Sequence, residues 1–395
     1  MPLVLKICGS DWTSASRDRR ELSAYRELGY DVLVMAKGEP GDRGRPDEVS
    51  GFPVLRYSTR PLGARVPNPV NRFVSLFQWA HNARQLHPDV ISGHDLLPGL
   101  LIAWMSTLLQ RKKPQLIYDS HEFELGRYAK RTAFQKTCIR YLEAFLMRRC
   151  AFSIMVNDSI ADEVQRIHKL KDRPVVVRST PDRWTLDPQK LAATRAELLA
   201  QFRSRDVRML LMFHGNHGFG SGLEYLIDAL ARFPDLGLVL LGKKTDAKYY
   251  ADLVEQAARL GVSDRVLALD AAPFAELRNY VGAVDLEMMV GKPPVKSYYF
   301  ALPNKMFEAI QGETPIITSD RPEMSRIVRE YGVGLICEPG NVDDLCRCIE
   351  KMRTDKAFYA QCKENLLRAK DELCWEREKN VLKDAFVRCI GKPEN

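Results

Sequence analysis

The sequence predicts an α/β protein made of two doubly wound parallel sheets. Apolar segments typical of buried strands alternate with amphipathic segments typical of helices, which favours parallel strands with helices on both faces. The alternation stops at a charged, proline-containing segment near residues 178–205 and then starts again. A chain of 395 residues is also too long for one ordinary hydrophobic core, so two domains are expected.

The first half begins with two strand-like segments, which flank an amphipathic helical segment over residues 17–28. A loop rich in proline, glycine and arginine follows, and four more strand-like segments are then separated by helical ones. We expect residues 1–185 to form the first domain. The strand-like segments are, in order, LVLKIC, DVLVMA, VLRYS, DVISGHD, QLIYDSHE and SIMVNDS.

The second half repeats the pattern, and we expect residues 205–370 to form a second domain after a linker near 178–205. In doubly wound sheets, ligands bind beyond the carboxyl ends of the strands. With two such halves, the cleft between them is the expected ligand site. The strand-like segments here are MLLMFH, LGLVLLG, RVLALD, VDLEMMV, PIITS and GVGLICEP.

The composition excludes several kinds of protein. The nine cysteines are odd in number and form no Cys-x-x-Cys pair, so we expect reduced thiols in a cytoplasm rather than disulfides or a zinc site. The N-terminus has no cleavage-like site, and no apolar run is long enough to span a membrane. The net charge of +8 suits an anionic partner, whether nucleotide phosphates, anionic lipid or nucleic acid.

The segment HGNHGFGSG, residues 214–222, follows a strand and opens a helix. Its glycines allow the backbone to approach a ligand closely, and free N–H groups at a helix start attract phosphate. The alternative is a tight turn, which also needs glycine. The spacing fits neither the P-loop nor the usual dinucleotide fingerprint. His214 and His217 have no further ligands nearby in the sequence, so we predict no metal site.

The segment YDSHE ends another strand, which would place His121 and Glu122 at the carboxyl edge of the sheet. A histidine there can donate a hydrogen bond to a sugar hydroxyl or handle a proton. The alternative is a structural histidine bonded to its own loop. In the nearby HDLLPG segment, Asp95 is interpreted as the N-cap of the next helix.

The segment SYYFALPNKMFEAIQGETPIITSD combines a predicted helix with a buried strand. Pro303 suits the first turn of a helix that begins near Asn304. Glu308 lies one turn further on the same face, where its carboxylate could accept both hydroxyls of a ribose. Lys305, near the helix start, could meet a phosphate. The alternative is a solvated Lys–Glu pair, which the apolar neighbours make less favourable.

The segment over residues 127–149 carries seven basic residues and one acid. It has two interpretations: its apolar face packs on the sheet, or it docks on an anionic membrane surface. The basic residues do not form one clean opposite face. The apolar residues that share a helical face are Phe134, Cys138, Tyr141, Leu142 and Phe145.

Over nearly its whole length the chain resembles the family-4 glycosyltransferases of the GT-B fold. The most specific part is residues 301–341, which contain the Leu-Pro-Asn-Lys-x-Phe-Glu signature of a bacterial subgroup. The segments IYDSHE, NDSIADEV and VVVRSTPD are similar to signatures of the family's first domain. CWEREKNVLKDAF resembles the family's C-terminal helix, so residues 371–395 are expected to pack back on the first domain.

The resemblance implies an enzyme that moves a sugar from a UDP- or GDP-sugar to a glycan or lipid-linked acceptor. It implies retention of anomeric configuration, no cofactor and no bound metal, and the chain has no Asp-x-Asp motif. The residues that the resemblance places in catalysis are His121, Glu122 and Lys305. Those that it places at the donor are Gly9, Gly215, Asn216, Gly218, Gly220, Lys243, Phe300, Ala301, Leu302, Asn304 and Glu308.

Three positions depart from the family pattern. Phe300 stands where many relatives have a glutamate, and Asn216 and Ser221 stand where many have Arg and Lys in the phosphate loop. These departures leave open a non-catalytic member of the fold that binds a nucleotide sugar or a partner. A sugar-nucleotide epimerase is a third alternative, which the Leu-Pro-Asn-Lys signature disfavours. Nucleic-acid binding rests on net charge alone and is not predicted.

Overall fold

The computed structural model describes residues 1–13, 15–108, 110–128, 130–204, 206–293 and 295–392. The chain divides into two α/β units, one of Met1–Arg178 with Glu378–Asn395 and the other of Ser179–Arg377. Each unit has its own sheet with helices packed on it, and the strands are parallel except for one edge strand of the first sheet. None of the helices in the described ranges combines the length and apolar composition that a membrane-spanning helix requires.

The first unit contains an eight-stranded sheet with the strand order β3-β4-β2-β1-β5-β6-β7-β8. Its strands are β1 (Leu3–Ile7), β2 (Asp31–Lys37), β3 (Arg43–Val49), β4 (Phe52–Tyr57), β5 (Val90–His94), β6 (Gln115–Ser120), β7 (Phe152–Met155) and β8 (Val175–Val176). Its helices are α1 (Ser16–Glu27), α2 (Asn68–Gln85), α3 (Leu101–Thr107), α4 (Ala133–Met147) and α5 (Asp158–His168).

Two strands of this sheet were not predicted from the sequence, the two-residue β8 and the edge strand β3. The proline-, glycine- and arginine-rich loop contains β3, which pairs antiparallel with β4 at the sheet edge. Its sequence, RGRPDEV, is polar and partly exposed, so it lacks the apolar run that marks a buried strand. The other neighbouring strands of the sheet are parallel.

The register of the central strands brings several polar residues to one edge of the first sheet. Ile7 of β1 pairs with Gly93 of β5, and His94 pairs with Asp119 of β6. The residues that follow these strands therefore meet at the carboxyl edge, where ligands bind in such sheets. An irregular turn over Asp95–Leu100 connects β5 to α3 at this edge.

The second unit contains a six-stranded parallel sheet with the order β11-β10-β9-β12-β13-β14. The order reverses between β9 and β12, and the loops on either side of such a switch point form a crevice. The strands are β9 (Met209–His214), β10 (Leu236–Leu241), β11 (Val266–Leu269), β12 (Leu286–Met289), β13 (Ile316–Ser319) and β14 (Gly334–Cys337). The helices are α6 (Pro188–Gln201), α7 (Leu223–Leu230), α8 (Ala247–Arg259), α9 (Phe274–Ala283), α10 (Lys296–Tyr299), α11 (Asn304–Gln311), α12 (Pro322–Tyr331), α13 (Val342–Thr354) and α14 (Lys356–Glu372).

The segment expected to be a linker near residues 178–205 is part of the second unit from Ser179 onward. Helix α6 buries Leu198, and the residues around it contribute Trp184 and Phe202 to the core. The Trp184 amide also donates to Gln311 Oε1 at 3.0 Å. The segment was predicted to be a linker because it is rich in proline and charged residues. Its few large apolar side chains nevertheless pack on the sheet and hold it there.

The last helix, α15 (Trp375–Cys389), begins in the second unit, and its residues from Glu378 onward belong to the first. Phe386 lies between Tyr25 and Tyr30, with ring centroids 4.9 and 5.0 Å away. Glu378 accepts a hydrogen bond from the Arg178 amide at 2.7 Å. Aromatic packing and one buried carboxylate therefore fix this part of the helix to the first unit.

Candidate active site

A cavity of about 560 Å³ opens at the switch point of the second sheet. The loops after β9, β10, β12 and β13 and the start of α11 form its walls. Three apolar or aromatic side chains, from Phe213, Phe219 and Tyr298, lie beside the cations of Lys305 and Arg321. The other lining residues are Asn216, Gly218, Gly220, Ser221, Thr245, Asp246, Met289, Gly291, Ala301 and Pro303.

Glycines let three loops meet closely at this cavity. A Cβ atom on Gly242 would lie 1.9 Å from the carbonyl oxygen of Gly215, which itself has a φ of +110°. A Cβ atom on Gly222 would lie 2.7 Å from Gly291 Cα. Close packing of the loops therefore explains Gly222 and Gly242. Gly218 and Gly220 instead face the cavity.

Lys305 lies in the first turn of α11, beside the glycine-rich loop. Its ammonium is 3.4 Å from the centroid of the Phe213 ring, a cation–π contact. Burial lowers the pKa of Lys305 to about 8, and the nearby Arg321 adds to this effect against the carboxylates of Glu287 and Glu308. The cavity wall therefore places a desolvated cation next to the exposed backbone of the glycine-rich loop.

Glu308 is held by His214 rather than by Lys305. His214 Nε2 lies 2.8 Å from Glu308 Oε2, and His214 Nδ1 lies 3.0 Å from Glu287 Oε1. Burial acts to lower the pKa of His214, but the two carboxylates outweigh it and raise the pKa to about 9. At neutral pH an imidazolium thus bridges two carboxylates, and the solvated Lys–Glu alternative does not describe Glu308, whose side chain is 14% exposed.

The structure brings together only part of the residues predicted at the donor. Asn216, Gly218, Gly220, Ala301 and Lys305 line the cavity. Leu302 is buried in the core beneath it, and Lys243 is exposed on the loop after β10. The predicted residues that adjoin the cavity through their neighbours without lining it are Gly215, Phe300, Asn304 and Glu308.

Sequence reasoning missed Arg321, Tyr298 and the role of His214. Arg321 follows the carboxyl end of β13, a position that could have been suspected because ligands bind at such ends. Glu287 is an acid inside the apolar segment VDLEMMV. A buried carboxylate requires a partner, so this residue was the available signal for His214.

The carboxyl edge of the first sheet contains a buried cluster of charges around Lys6. Its ammonium lies 3.1 Å from Asp18 Oδ1, 3.0 Å from Glu21 Oε2, and also contacts Asp119. Arg17 joins the cluster through Glu21 at 3.0 Å and Asp119 at 3.3 Å. Burial opposes the charged form of Lys6, but the three carboxylates raise its pKa well above the usual value.

His121 lies at the open side of this cluster. Its Nε2 is 3.1 Å from Asp119 Oδ2, and its backbone N–H donates to Asp95 Oδ1 at 3.1 Å. Its ring centroid is 4.0 Å from that of His94, whose Nδ1 is 3.2 Å from Asp18 Oδ1. The His121 side chain remains 25% exposed, so a carboxylate orients a ring that can still reach a ligand.

Asp95 corrects the N-cap interpretation. No side-chain cap bond is made at this turn, and the Asp95 carboxylate instead binds the His121 amide and, at 2.8 Å, Arg127. Glu122 is 40% exposed and pairs with Arg127 Nε at 3.2 Å. Gly9 is packed against Pro98, since a Cβ there would lie 2.6 Å from Pro98 Cδ. Both Glu122 and Gly9 thus have structural explanations beside their predicted roles.

Asp18, His94, Asp119 and His121 place one ligand atom each within 4.8 Å of one another, which is close enough to surround a cation. The Lys6 ammonium already contacts both of these carboxylates. A divalent ion would have to share them with a buried positive charge, which raises its electrostatic cost. The chemistry of these donors therefore suits an ion-paired histidine better than a metal centre.

Helix α4 turns most of its predicted apolar face outward. Phe134 is 77% exposed and Tyr141 is 65% exposed, and Cys138 is exposed as well. Its buried residues are Glu143, Ala144, Leu146 and Met147. Phe145 of the same face packs edge-on against Trp104, with ring centroids 5.4 Å apart, so the packing interpretation is wrong only for the part of the face with Phe134, Cys138 and Tyr141. This exposed part combines aromatic rings with basic side chains. An example is Arg140, which lies 4.9 Å from the Tyr141 ring centroid.

Two family models match the chain. The model described as glycosyl transferases group 1 matches residues 195–368, and the model described as a glycosyl transferase 4-like domain matches residues 16–180. An uncharacterized glycosyltransferase of Methanocaldococcus jannaschii is 22% identical over 274 residues, which cover 68% of this chain and 67% of that protein.

Solved structures share the fold. Sucrose-phosphate synthase from Thermosynechococcus elongatus superposes with a TM-score of 0.74 at 18% identity, covering 98% of this chain and 99% of that one. Anabaena HepE in complex with UDP-glucose gives a TM-score of 0.74 at 16% identity, covering 98% and 100%. With both family models matched and the same two-domain fold, the chain belongs to the glycosyltransferases of the GT-B fold.

Proposed function

We propose that the protein transfers a sugar from a nucleotide diphosphate sugar to a glycan or lipid-linked acceptor, with retention and without a bound metal. One observation carries this proposal. At the switch point of the second sheet, a cavity large enough for a nucleotide sugar combines a glycine-rich loop, the Lys305 cation and the neighbouring Glu308 carboxylate. HepE, which has the same fold, was solved with UDP-glucose, and this favours the UDP-sugar within the proposed class of UDP- or GDP-sugar donors.

The residues of the second unit divide the donor among them. Glu308 accepts hydrogen bonds from the ribose hydroxyls, while Lys305 and the backbone of Gly215, Gly218 and Gly220 face the diphosphate. Asn216, Asn304 and Lys243 lie at the edge of the site, and the backbone from Phe300 to Leu302 meets the sugar hydroxyls. As the nucleotide departs, negative charge grows on the diphosphate, and fixed positive groups stabilise that state more than the ground state.

In the first unit, His121 is the side chain to which we assign a hydrogen bond to a sugar hydroxyl. Asp119 fixes its ring from one side and Asp95 fixes its backbone. In a retaining reaction of this kind, the departing phosphate takes the acceptor proton. No protein nucleophile is then needed, and Glu122 serves to hold Arg127 near His121.

The first test is thermal stabilisation by UDP, GDP and their sugar conjugates. Ligand at about a hundred times its dissociation constant adds roughly 2.7 kcal/mol of stability. We expect a shift with one nucleoside diphosphate and a larger shift with one of its sugar conjugates. Absence of any shift across the panel would reject the proposed donor site.

A second candidate function is a non-catalytic nucleotide-sugar or partner-binding protein. Phe300, Asn216 and Ser221 favour it, because they replace charged residues that many relatives carry. Release of free sugar or transfer to an acceptor separates the two functions. A protein that binds a sugar nucleotide but never turns it over is the non-catalytic member.

We also propose that α4 contacts an anionic membrane surface at the inner face of the cell membrane, where lipid-linked acceptors reside. The exposed Phe134 and Tyr141 lie among the basic side chains of residues 127–149, and this combination suits an interface of anionic headgroups. Sedimentation with phosphatidylglycerol vesicles tests this. Binding that is equal with neutral phosphatidylcholine vesicles would remove the electrostatic part of the proposal.

A further inference from the structure

Arg321 occupies an unusual place for an arginine. It lies between β13 and α12 and lines the cavity of the second unit. One of its terminal nitrogens donates to the Tyr298 carbonyl at 3.2 Å, while its Nε is buried and has no hydrogen-bond partner among the described residues. The adjacent Asp320 carboxylate instead binds Ser325 at 2.6 Å and lies 3.4 Å from Arg329.

Within the described residues, no carboxylate forms an ion pair with Arg321. Burial alone lowers its pKa to about 10, an effect that acidic neighbours would reverse. Arg321 is partly buried, and a partly buried cation without a counter-charge costs free energy; proteins keep such groups where a ligand supplies the charge. The guanidinium is planar and offers two parallel donors to a phosphoryl or carboxylate group.

A second cation faces the same cavity. Lys305 comes from the first turn of α11, and the positive charge of Arg321 is close enough to disfavour its protonated form. The charge of Arg321 therefore makes the charged form of Lys305 more costly in the absence of an anion. A negatively charged group between them would remove this repulsion, so the pair is suited to an anionic ligand.

The glycine-rich loop places no lysine or arginine side chain on this cavity. Asn216 and Ser221 line it, and the Ser221 hydroxyl lies 3.2 Å from the Tyr249 hydroxyl. The positive charge of the site thus comes from α11 and from the end of β13. Lys305 and Arg321, from other parts of the same unit, thus provide the positive charge that Asn216 and Ser221 of the loop do not carry.

We propose that Arg321 and Lys305 form an oxyanion clamp that binds a phosphoryl or carboxylate group of the donor. This inference rests on the proposed function and deepens it. It requires the donor to carry an oxyanion either in the group that links the nucleoside to the sugar or on the sugar itself. That oxyanion is either the diphosphate or the carboxylate of a hexuronic acid. The two sources share their chemistry but differ in the ligands that reveal them.

The test is calorimetric titration of the whole protein and its Arg321→Gln variant. The ligands are UMP, UDP, UDP-glucose, UDP-glucuronic acid, the guanosine equivalents of the first two, and inorganic pyrophosphate. Arg329→Gln is the matched control, since it removes the same charge from a 63% exposed side chain that follows on α12. Arg321→Lys keeps the charge but loses the two parallel donors.

We expect Arg321→Gln to weaken the anionic ligand about 10- to 100-fold, with a partial recovery in Arg321→Lys and less than about a twofold change in Arg329→Gln. The melting temperature of ligand-free Arg321→Gln should equal or exceed that of the parent, because a partly buried charge without a counter-charge is removed. A merely structural arginine would instead lower it. If Arg321→Gln loses affinity for the diphosphate ligands but not for UMP, the bound oxyanion is the diphosphate. If it loses affinity only for UDP-glucuronic acid, the bound oxyanion is the sugar carboxylate.

Unchanged affinity for every ligand in Arg321→Gln overturns the clamp. A parent protein that binds no nucleotide overturns the proposed donor function, and the pyrophosphate titration then decides the clamp separately. Pyrophosphate binding that depends on Arg321 supports an oxyanion site without that donor. Absence of pyrophosphate binding as well would reject both.

Discussion

The two units bury charge in opposite ways. At the edge of the first sheet, Lys6 is completely buried and contacts three carboxylates. At the cavity of the second unit, Arg321 and Lys305 face one space, and Arg321 has no carboxylate partner among the described residues. The first arrangement is complete within the protein and positions a histidine, whereas the second requires an anion from outside. Buried charge therefore marks structure where it is paired and a ligand site where it is not.

Removing the charge of Lys6 should have the largest effect on stability. Lys6→Met leaves three buried carboxylates without their shared cation, so we expect the first unit to lose about 3–5 kcal/mol in its free energy of unfolding. Denaturant unfolding of the whole chain measures it. Lys112→Met is the control, since the 90% exposed Lys112 pairs with Asp89 at 3.2 Å and such pairs contribute at most about 1 kcal/mol. If the two substitutions lowered the free energy of unfolding equally, the buried Lys6 would contribute no more to stability than an exposed ion pair does.

The stability of the second unit should fall as pH rises through the titration of His214. Its pKa of about 9 in the folded state exceeds the ordinary value, so the folded state binds more protons between about pH 6.5 and 9. The stabilisation is complete below about pH 6.5 and amounts to roughly 3 kcal/mol, which is lost by about pH 9. The lowered pKa of Lys305, about 8, acts in the opposite direction from pH 8 upward.

The comparison of wild type with His214→Asn between pH 6.5 and 8 isolates this effect, because Lys305 stays protonated over most of that range. We expect the wild type to lose stability there and the variant to show a smaller slope. Parallel pH profiles for the two proteins would contradict the bridging imidazolium.

Glu308→Ala should weaken donor binding about 100-fold, since two hydrogen bonds from ribose hydroxyls to a charged group are lost. Its effect on folding should be smaller, because His214 keeps Glu287 as a partner. Titration with the preferred nucleotide and a melting curve together give the ratio of the two effects. A variant that binds and transfers at the parent rate would remove Glu308 from the site.

His121→Ala should have its effect on turnover alone. A positioned hydrogen-bond donor or proton-transfer group contributes about 100-fold to a rate, and the nucleotide cavity lies within the second unit. We expect kcat to fall by about that factor with little change in nucleotide affinity. Unchanged turnover would make His121 a structural residue of the Lys6 cluster.

The sequence predicted the parallel strands well because buried strands appear as short apolar runs between helices. Strand β3 escaped this rule because an exposed edge strand need not be apolar. The face of α4 shows a different limit. Its periodic pattern indicates that Phe134 and Tyr141 share one side of a helix, but no pattern says whether another part of the chain covers that side.

The candidate site shows the same division. His121, Lys305 and Glu308 were predicted from their positions at strand ends and helix starts. The significance of Arg321 depends on the absence of a partner, which only three-dimensional placement reveals. Lys6 and Glu287 are charged residues inside apolar segments, and each could have been suspected of making a buried ion pair.

The bridge from Glu287 through His214 to Glu308 also bears on conformational entropy. A free glutamate side chain samples many rotamers. When it binds a ligand it loses that freedom, at an entropic cost of roughly 1–2 kcal/mol. Glu308 has already been ordered during folding by the 2.8 Å contact with His214. Its carboxylate therefore meets a ligand in one orientation, and the ordering cost falls on the folding of the second unit instead of on the binding step.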